Sequence, residues 1–313
     1  MGRSAAPLPD ARWYVITTTM QNGVSSTFIT APDGLRLHAR CYGARIAPAT
    51  PVICLPGLAR TAADFEALAS ALSHDKPLRR VIALDYRGRG LSQYDRNPAN
   101  YALPVELADV LAVVTALDVA PAIFVGTSRG GILSMLLAAV RPTAIVGVVL
   151  NDIGPVIEPQ GLMRIKSYVG KLPQPRTFEE GAGILRRLFS GQFPKLDMAD
   201  WLASAHRMFK EEKGRLVPTY DVKIATTMNG VDAERRVPTL WLQFDALKAK
   251  PVMVIRGENS DLLTAETVDA MRARRSSLDV LEVPDQGHAP LLTDADTIGR
   301  IVEFVHRCDR TVH

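Results

Sequence analysis

The 313-residue chain reads as an α/β protein with a mostly parallel sheet and helices on both faces. Two observations predict this. Short apolar runs recur at residues 52–55, 81–84, 122–125 and 145–150, as buried parallel strands require, and further strand-like segments follow at 251–257 and 278–284. Between them lie segments with helical spacing of apolar residues, and strand–helix alternation is the signature of parallel strands joined by crossover helices.

The elements follow in order. Residues 1–23 are assigned to an N-terminal tail. Residues 26–30 and 35–42 flank Pro32-Asp33-Gly34, a turn signal, and read as a hairpin. The parallel strands then begin, giving eight strands in all. Helices are expected over 105–117 and 131–140 and from about Thr264, where Arg272, Arg274 and Arg275 suit the negative end of the helix dipole. Thr61 and Asp64 open an apolar-periodic helix (Phe65, Leu68, Ala69, Leu72) in the pattern of a capping box. The alternation breaks after the sixth strand. Residues 155–237 show no strand-like run, and helices are expected at 162–169, 178–189 and 198–210, punctuated by Pro173, Pro175, Pro194 and Pro218. The predicted organisation is a core of residues 24–154 and 238–313 with an all-helical insertion over 155–237.

Composition narrows the function classes. The net charge of +4 is small for this length and its arginines are scattered, so no nucleic-acid partner is implied. No apolar run reaches 18 residues, so no membrane span is expected. Residues 1–10 lack an apolar h-region. Cys41, Cys54 and Cys308 have no motif spacing and read as reduced thiols, which points to a cytoplasmic chain. Nothing in the sequence calls for a metal or an organic cofactor.

The chemistry concentrates in Gly126-Thr127-Ser128-Arg129-Gly130. An apolar strand precedes this G-x-S-x-G and an apolar helix follows it, so the serine sits on one sharp strand-to-helix turn. Such a turn lifts the hydroxyl above the sheet and places it over the free N–H groups at the start of the helix. Further along, the strand 251–257 runs into Glu258-Asn259-Ser260-Asp261, and the strand 278–284 runs into Asp285-Gln286-Gly287-His288. Ser128, Asp261 and His288 therefore all lie at C-terminal strand ends, the edge of a parallel sheet where ligands bind.

Taken with Pro56-Gly57-Leu58 and Asp85-Tyr86-Arg87-Gly88-Arg89-Gly90-Leu91-Ser92, these motifs resemble serine hydrolases of the α/β-hydrolase superfamily that carry a helical cap. The resemblance covers about residues 24–310. It implies Ser128 as nucleophile, His288 as general base and then acid, and a carboxylate that orients the imidazole. Chain order favours Asp261 for that carboxylate. Asp152 is the alternative, because some members place their acid after the sixth strand. The oxyanion donors are expected to be the backbone N–H groups of Leu58 and Arg129. Relatives usually carry His-Gly where this chain has Pro56-Gly57.

Bland readings stand beside these. The Arg87 and Arg89 turn is expected to be clamped by carboxylates, since its glycine spacing lacks the Walker pattern. The Arg129 side chain either meets a substrate carboxylate or turns away. Tyr168, Phe189, Phe193, Trp201 and Met208 either line a pocket or pack the insertion onto the core. The resemblance implies a hydrolase for a small or medium carboxylic ester acting through an acyl-enzyme. The alternatives on the same triad are a carbon–carbon bond hydrolase of the meta-cleavage-product type, a lactonase or an amidase, and, without turnover, a ligand receptor. An aspartate nucleophile, as in haloalkane dehalogenases and epoxide hydrolases, is not what position 128 offers.

Overall fold

The computed structural model describes residues 15–21, 23–232 and 237–311. Eleven strands are present among them: β1 (Val15–Gln21), β2 (Val24–Thr30), β3 (Arg36–Tyr42), β4 (Val52–Leu55), β5 (Val81–Asp85), β6 (Ala122–Thr127), β7 (Ile145–Asn151), β8 (Phe209–Glu212), β9 (Arg215–Pro218), β10 (Val252–Gly257) and β11 (Asp279–Val283). Nine form one sheet in the order β1-β2-β3-β5-β4-β6-β7-β10-β11. The pairs from β5 to β11 are parallel, and β1, β2 and β3 extend the sheet antiparallel. The hairpin expected around Pro32-Asp33-Gly34 is β2–β3.

The helices are α1 (Glu66–His74), α2 (Leu103–Ala116), α3 (Arg129–Val140), α4 (Pro159–Tyr168), α5 (Phe178–Phe189), α6 (Met198–Met208), α7 (Trp241–Asp245), α8 (Ala265–Arg274) and α9 (Ala295–Asp309). They cover both faces of the sheet. One apolar layer joins alternate strand residues such as Ile53, Leu55, Phe124 and Leu150 to α2 and α3. The other joins Cys54, Val125, Val149 and Ile255 to α1 and α9. The central strands β4, β5 and β7 are buried at every residue, which is why they read as continuous apolar runs rather than alternating ones. Cys41, Cys54 and Cys308 are buried free thiols. Among the described residues no helix is long and apolar enough to cross a membrane.

Three local expectations need correction. First, part of the supposed tail is a strand: β1 pairs with β2 as a ninth member of the sheet, while residues 1–14 and 22 lie outside the described set. Second, the insertion between β7 and β10 is not all helical. After α4, α5 and α6, which match the expected segments closely, β8 and β9 form a short hairpin. Lys213-Gly214, both with positive φ, make its two-residue turn, a type of connection that the charged flanks Glu211-Glu212 and Arg215 disguise in a search for apolar runs. Third, Thr61 caps a 3₁₀ turn (Ala62–Phe65) by accepting from Ala63 N–H, but Asp64 does not complete a capping box. Its carboxylate is taken by Arg60 through two 2.6 Å hydrogen bonds. A two-point guanidinium pair outcompetes a single backbone N–H.

Candidate active site

Ser128 stands between β6 and α3 with φ 50° and ψ −110°, a conformation that costs a non-glycine residue on the order of 1–3 kcal/mol. The surroundings fix it. Ser128 N–H donates to Asn151 O at the end of β7 (2.9 Å), and its carbonyl accepts from Gly131 N–H and Ile132 N–H as α3 begins. The crossing is too tight for side chains: a Cβ on Gly130 would sit 2.0 Å from Leu55 O, and one on Gly126 would sit 2.4 Å from the Gly130 carbonyl carbon. The glycines of the motif are therefore steric requirements.

The Ser128 hydroxyl lies 2.9 Å from His288 Nε2, and His288 Nδ1 lies 2.8 Å from Asp152 Oδ2. A carboxylate only accepts, so Nδ1 carries the proton and Nε2 is left to accept from the serine. Asp152 is fully buried and has φ 54°, directly after β7. Its Oδ1 accepts from Gly257 N–H (2.8 Å), and its Oδ2 also accepts from the Ser260 hydroxyl (2.5 Å).

The expectation that Asp261 partners His288 is thus corrected in favour of Asp152. Asp261 is in the loop after β10 as expected, but its side chain turns toward the insertion. There it forms two hydrogen bonds with Arg164 of α4, at 2.6 and 2.9 Å. Burial alone lifts the Asp261 carboxyl, but the Arg164 contact outweighs it and holds the group below the usual carboxylate range. The register explains the switch. β7 lies between β6, which carries Ser128, and β10, so the residue following β7 is nearer the serine than the loop after β10. The β10 loop instead contributes Ser260 and Gly257 N–H, which hold Asp152. Sequence reasoning did not single out either residue. Nor did it single out Gln192 of the insertion, whose Oε1 accepts from His288 N–H (3.2 Å), or Asn151, whose amide donates to Thr127 Oγ1 and Pro290 O.

The loop after β4 lies against the serine. Ser128 Cβ is 4.0 Å from where a Cβ on Gly57 would stand. Gly57 O accepts from Arg60 N–H (3.3 Å), so the Leu58 N–H, on the opposite side of that trans peptide, points away from this turn. Leu58 O accepts from Arg89 Nε (2.9 Å), a side chain that is fully buried. The expected clamp of the 85–92 turn is present: Arg87 pairs bidentately with Asp109 at 2.6 Å and reaches Asp33 and Asp95, and Arg89 meets Glu106 at 2.7 Å. The Arg129 side chain turns away from the serine to Glu106 Oε2 (2.5 Å) and Tyr101 O (2.7 Å). Its backbone N–H begins α3, where the first N–H groups have no partner within the helix.

Above the serine lies a cavity of about 140 Å³, walled on the core side by Gly57, Leu58, Ser128 and His288 and on the insertion side mainly by apolar side chains. Tyr168, Phe189, Phe193, Trp201 and Met208 all line it. Phe193, Trp201 and Met208 also belong to the insertion's own apolar cluster with Leu185 and Phe209, so the two readings of these residues coexist. The wall is not wholly apolar: Arg60, Asp64, Ser204 and Arg207 border the same space.

Comparison with known proteins gives the family. Residues 52–300 match the model of the alpha/beta hydrolase family. The 3-hydroxybutyrate-oligomer hydrolase of Cupriavidus necator is 34% identical over an alignment covering 88% of this chain and 96% of that protein. The 2-(acetamidomethylene)succinate hydrolase of Mesorhizobium japonicum is 29% identical over 74% of this chain and 79% of its own. Among solved structures, an alpha/beta hydrolase from Novosphingobium aromaticivorans superposes with a TM-score of 0.85 at 37% identity, covering 92% of this chain and all of that one. The chain belongs to the alpha/beta hydrolase family and is a hydrolase.

Proposed function

We propose that this hydrolase cleaves carboxylic esters through an acyl-enzyme on Ser128, and that short linear esters of 3-hydroxybutyrate are its first candidate substrates. The observation that carries the reading is the hydrogen-bonded series Ser128–His288–Asp152 opening into the cavity. His288 takes the hydroxyl proton as Ser128 attacks the carbonyl carbon, then returns it to the leaving alcohol. Asp152 holds the Nδ1–H tautomer and stabilises the imidazolium that forms. The tetrahedral oxyanion is met by the N–H groups of Leu58 and Arg129, each worth about 3 kcal/mol of transition-state stabilisation. Water then enters and the same histidine deacylates the serine.

The insertion acts as a cap. Its apolar wall excludes bulk water and holds the acyl chain against the nucleophile. The ester reading draws on the Cupriavidus relative, which aligns over nearly its whole length. The Mesorhizobium relative supports a second substrate class on the same triad, since its named substrate is an acetamidomethylene diacid. The deciding experiment measures initial rates on the linear 3-hydroxybutyrate dimer and trimer, on p-nitrophenyl esters from acetate to dodecanoate, and on 2-(acetamidomethylene)succinate. Turnover of the hydroxybutyrate esters with a short-chain optimum in the p-nitrophenyl series is expected. Turnover of the succinate alone would replace the ester reading with the second class.

A further inference from the structure

Two guanidinium groups and one carboxylate border the cavity, and the surplus cation is Arg207. Arg60 is matched: both its Nε and its Nη2 lie 2.6 Å from the two oxygens of Asp64. Arg207, near the end of α6, faces that pair from the insertion. Its Nε stands 3.8 Å from Asp64 Oδ1, beyond hydrogen-bond reach, and its one side-chain hydrogen bond among the described residues runs from Nη2 to the neutral Ser204 hydroxyl (3.0 Å). The Arg207 side chain is only 22% exposed. Burial first, and then the facing Arg60 charge, push its guanidinium below the ordinary value. The other acidic groups on its side, Asp200 and Glu66, are exposed and engaged elsewhere, Asp200 in the cap of α6 and Glu66 with Arg40.

A half-buried cation held against a second cation at the edge of an apolar cavity is costly unless an anion joins it. The Arg60 side chain of the facing pair runs close to the chemistry. Its Cγ is 3.3 Å, and Ser128 Cβ 4.0 Å, from the same point beside Gly57.

We infer that Arg207, backed by the Arg60–Asp64 pair, is a carboxylate-binding subsite, so that the preferred substrates are esters carrying a free carboxylate, as a linear hydroxy-acid oligomer does. This deepens the ester hydrolase reading and rests on it. The guanidinium would take the carboxylate by charge-assisted hydrogen bonds in a largely dry site, where they are strong and directional. Arg60, bound on two sides to Asp64, sets the field and fixes the wall rather than donating to the ligand. The arrangement selects against neutral esters of the same shape, because they leave the surplus charge unmatched.

The test compares the linear 3-hydroxybutyrate dimer as free acid and as its terminal carboxamide, following released 3-hydroxybutyrate. The expected wild-type kcat/KM favours the acid by roughly 10- to 100-fold, the range a charge-assisted pair supplies. Arg207→Gln should bring that ratio near one, mainly through KM, while Arg207→Lys keeps part of it. Arg272→Gln, on the exposed face of α8, should leave the ratio unaltered. A wild-type ratio near one, or a ratio that Arg207→Gln does not move, overturns the subsite.

A binding measurement separates this from failure of the hydrolase reading. Calorimetric titration of 3-hydroxybutyrate into Ser128→Ala should show binding that Ser128→Ala/Arg207→Gln loses. If no ester is cleaved yet this binding and its loss are seen, the subsite stands and the ester reading falls. If esters are cleaved and Ser128→Ala binds no 3-hydroxybutyrate, the subsite falls alone.

Discussion

Two Ser–His–Asp series run through this molecule, and their hydrogen-bond lengths are nearly the same. In one, Ser128 Oγ is 2.9 Å from His288 Nε2 and His288 Nδ1 is 2.8 Å from Asp152. In the other, Ser26 Oγ is 3.1 Å from His38 Nε2 and His38 Nδ1 is 2.7 Å from Asp85. Both carboxylates are buried and each accepts backbone N–H groups as well: Gly257 on Asp152, and Ala62 and Leu91 on Asp85. The serines differ. Ser26 lies inside β2, paired on one side with Thr18 of β1 and on the other with Arg40 of β3, so its neighbouring backbone groups are committed to the sheet. Ser128 sits on a left-handed turn with a helix start below it and the cavity in front of it. The lesson is that an aligned series of three side chains is only a hydrogen-bond device. Reactivity needs unspent N–H donors beside the hydroxyl and space for a carbonyl in front of it.

The sharpest way to break this comparison is to remove each hydroxyl in turn. Ser128→Ala should lower kcat on any accepted ester by roughly 10⁴-fold or more, with the melting transition unchanged. Ser26→Ala should leave kcat within about two-fold and cost at most about 1 kcal/mol in denaturant unfolding, one side-chain hydrogen bond's worth. Equal activity losses in the two variants would mean that the elbow gives Ser128 no special role.

The next contrast lies between carboxylates. Asp152→Asn should cost roughly 10³- to 10⁴-fold in kcat, because an amide at that position favours the wrong histidine tautomer. Asp261→Asn should stay within a few-fold. The reverse ranking would return the acid to the β10 loop. Asp85→Asn tests the structural series instead. Its added N–H₂ must face either Ala62 N–H, where Oδ1 now stands, or Leu91 N–H and His38 Nδ1–H, where Oδ2 now stands, so at least one donor is left unmet. A stability loss of about 2–4 kcal/mol is expected in chemical denaturation, with kcat per folded molecule little altered.

These contrasts also mark how far the sequence could be read. The central strands β4, β5 and β7 were legible because burial on both faces writes itself as apolar runs, the β2–β3 hairpin because Pro32-Asp33-Gly34 marks its turn, and α5 because its apolar stripe repeats at helical spacing. Ser128 and His288 were legible because the elbow and the strand-end loop are local patterns. The acid was not, because its identity is a question of strand order. Asp152 and Asp261 both follow strands and both precede turns, and only the placement of β7 between β6 and β10 decides which of them meets His288. The Arg164 that captures Asp261 lies 97 residues away in the chain, in an insertion whose docking no local pattern announces. Arg207 was hidden for the same reason: a lone arginine near the end of an amphipathic helix looks solvent-facing until α6 is seen folded over the cavity.

The smallest expected effect concerns that captured carboxylate, and pH reads it. Arg164 holds the Asp261 carboxyl below its ordinary value in the folded protein. A carboxyl whose folded pKa is depressed contributes stability that is fully present above the unfolded value and is lost as pH falls through the folded one. The pair joins the insertion to the β10 loop and is partly exposed, 22% and 18% at the two side chains, so its worth near neutrality is about 1 kcal/mol or less. Asp261→Asn should therefore unfold slightly more easily than wild type at pH 7, and the gap should shrink as pH falls below about 4, where the wild-type carboxyl also becomes neutral. Paired denaturant titrations at pH 7, 5 and 3.5 measure that gap. If it stays constant with pH, the stabilisation comes from packing of the Arg164 stem rather than from the ion pair. If it is large at pH 7 and activity falls with it, the pair is what seats the insertion over Ser128.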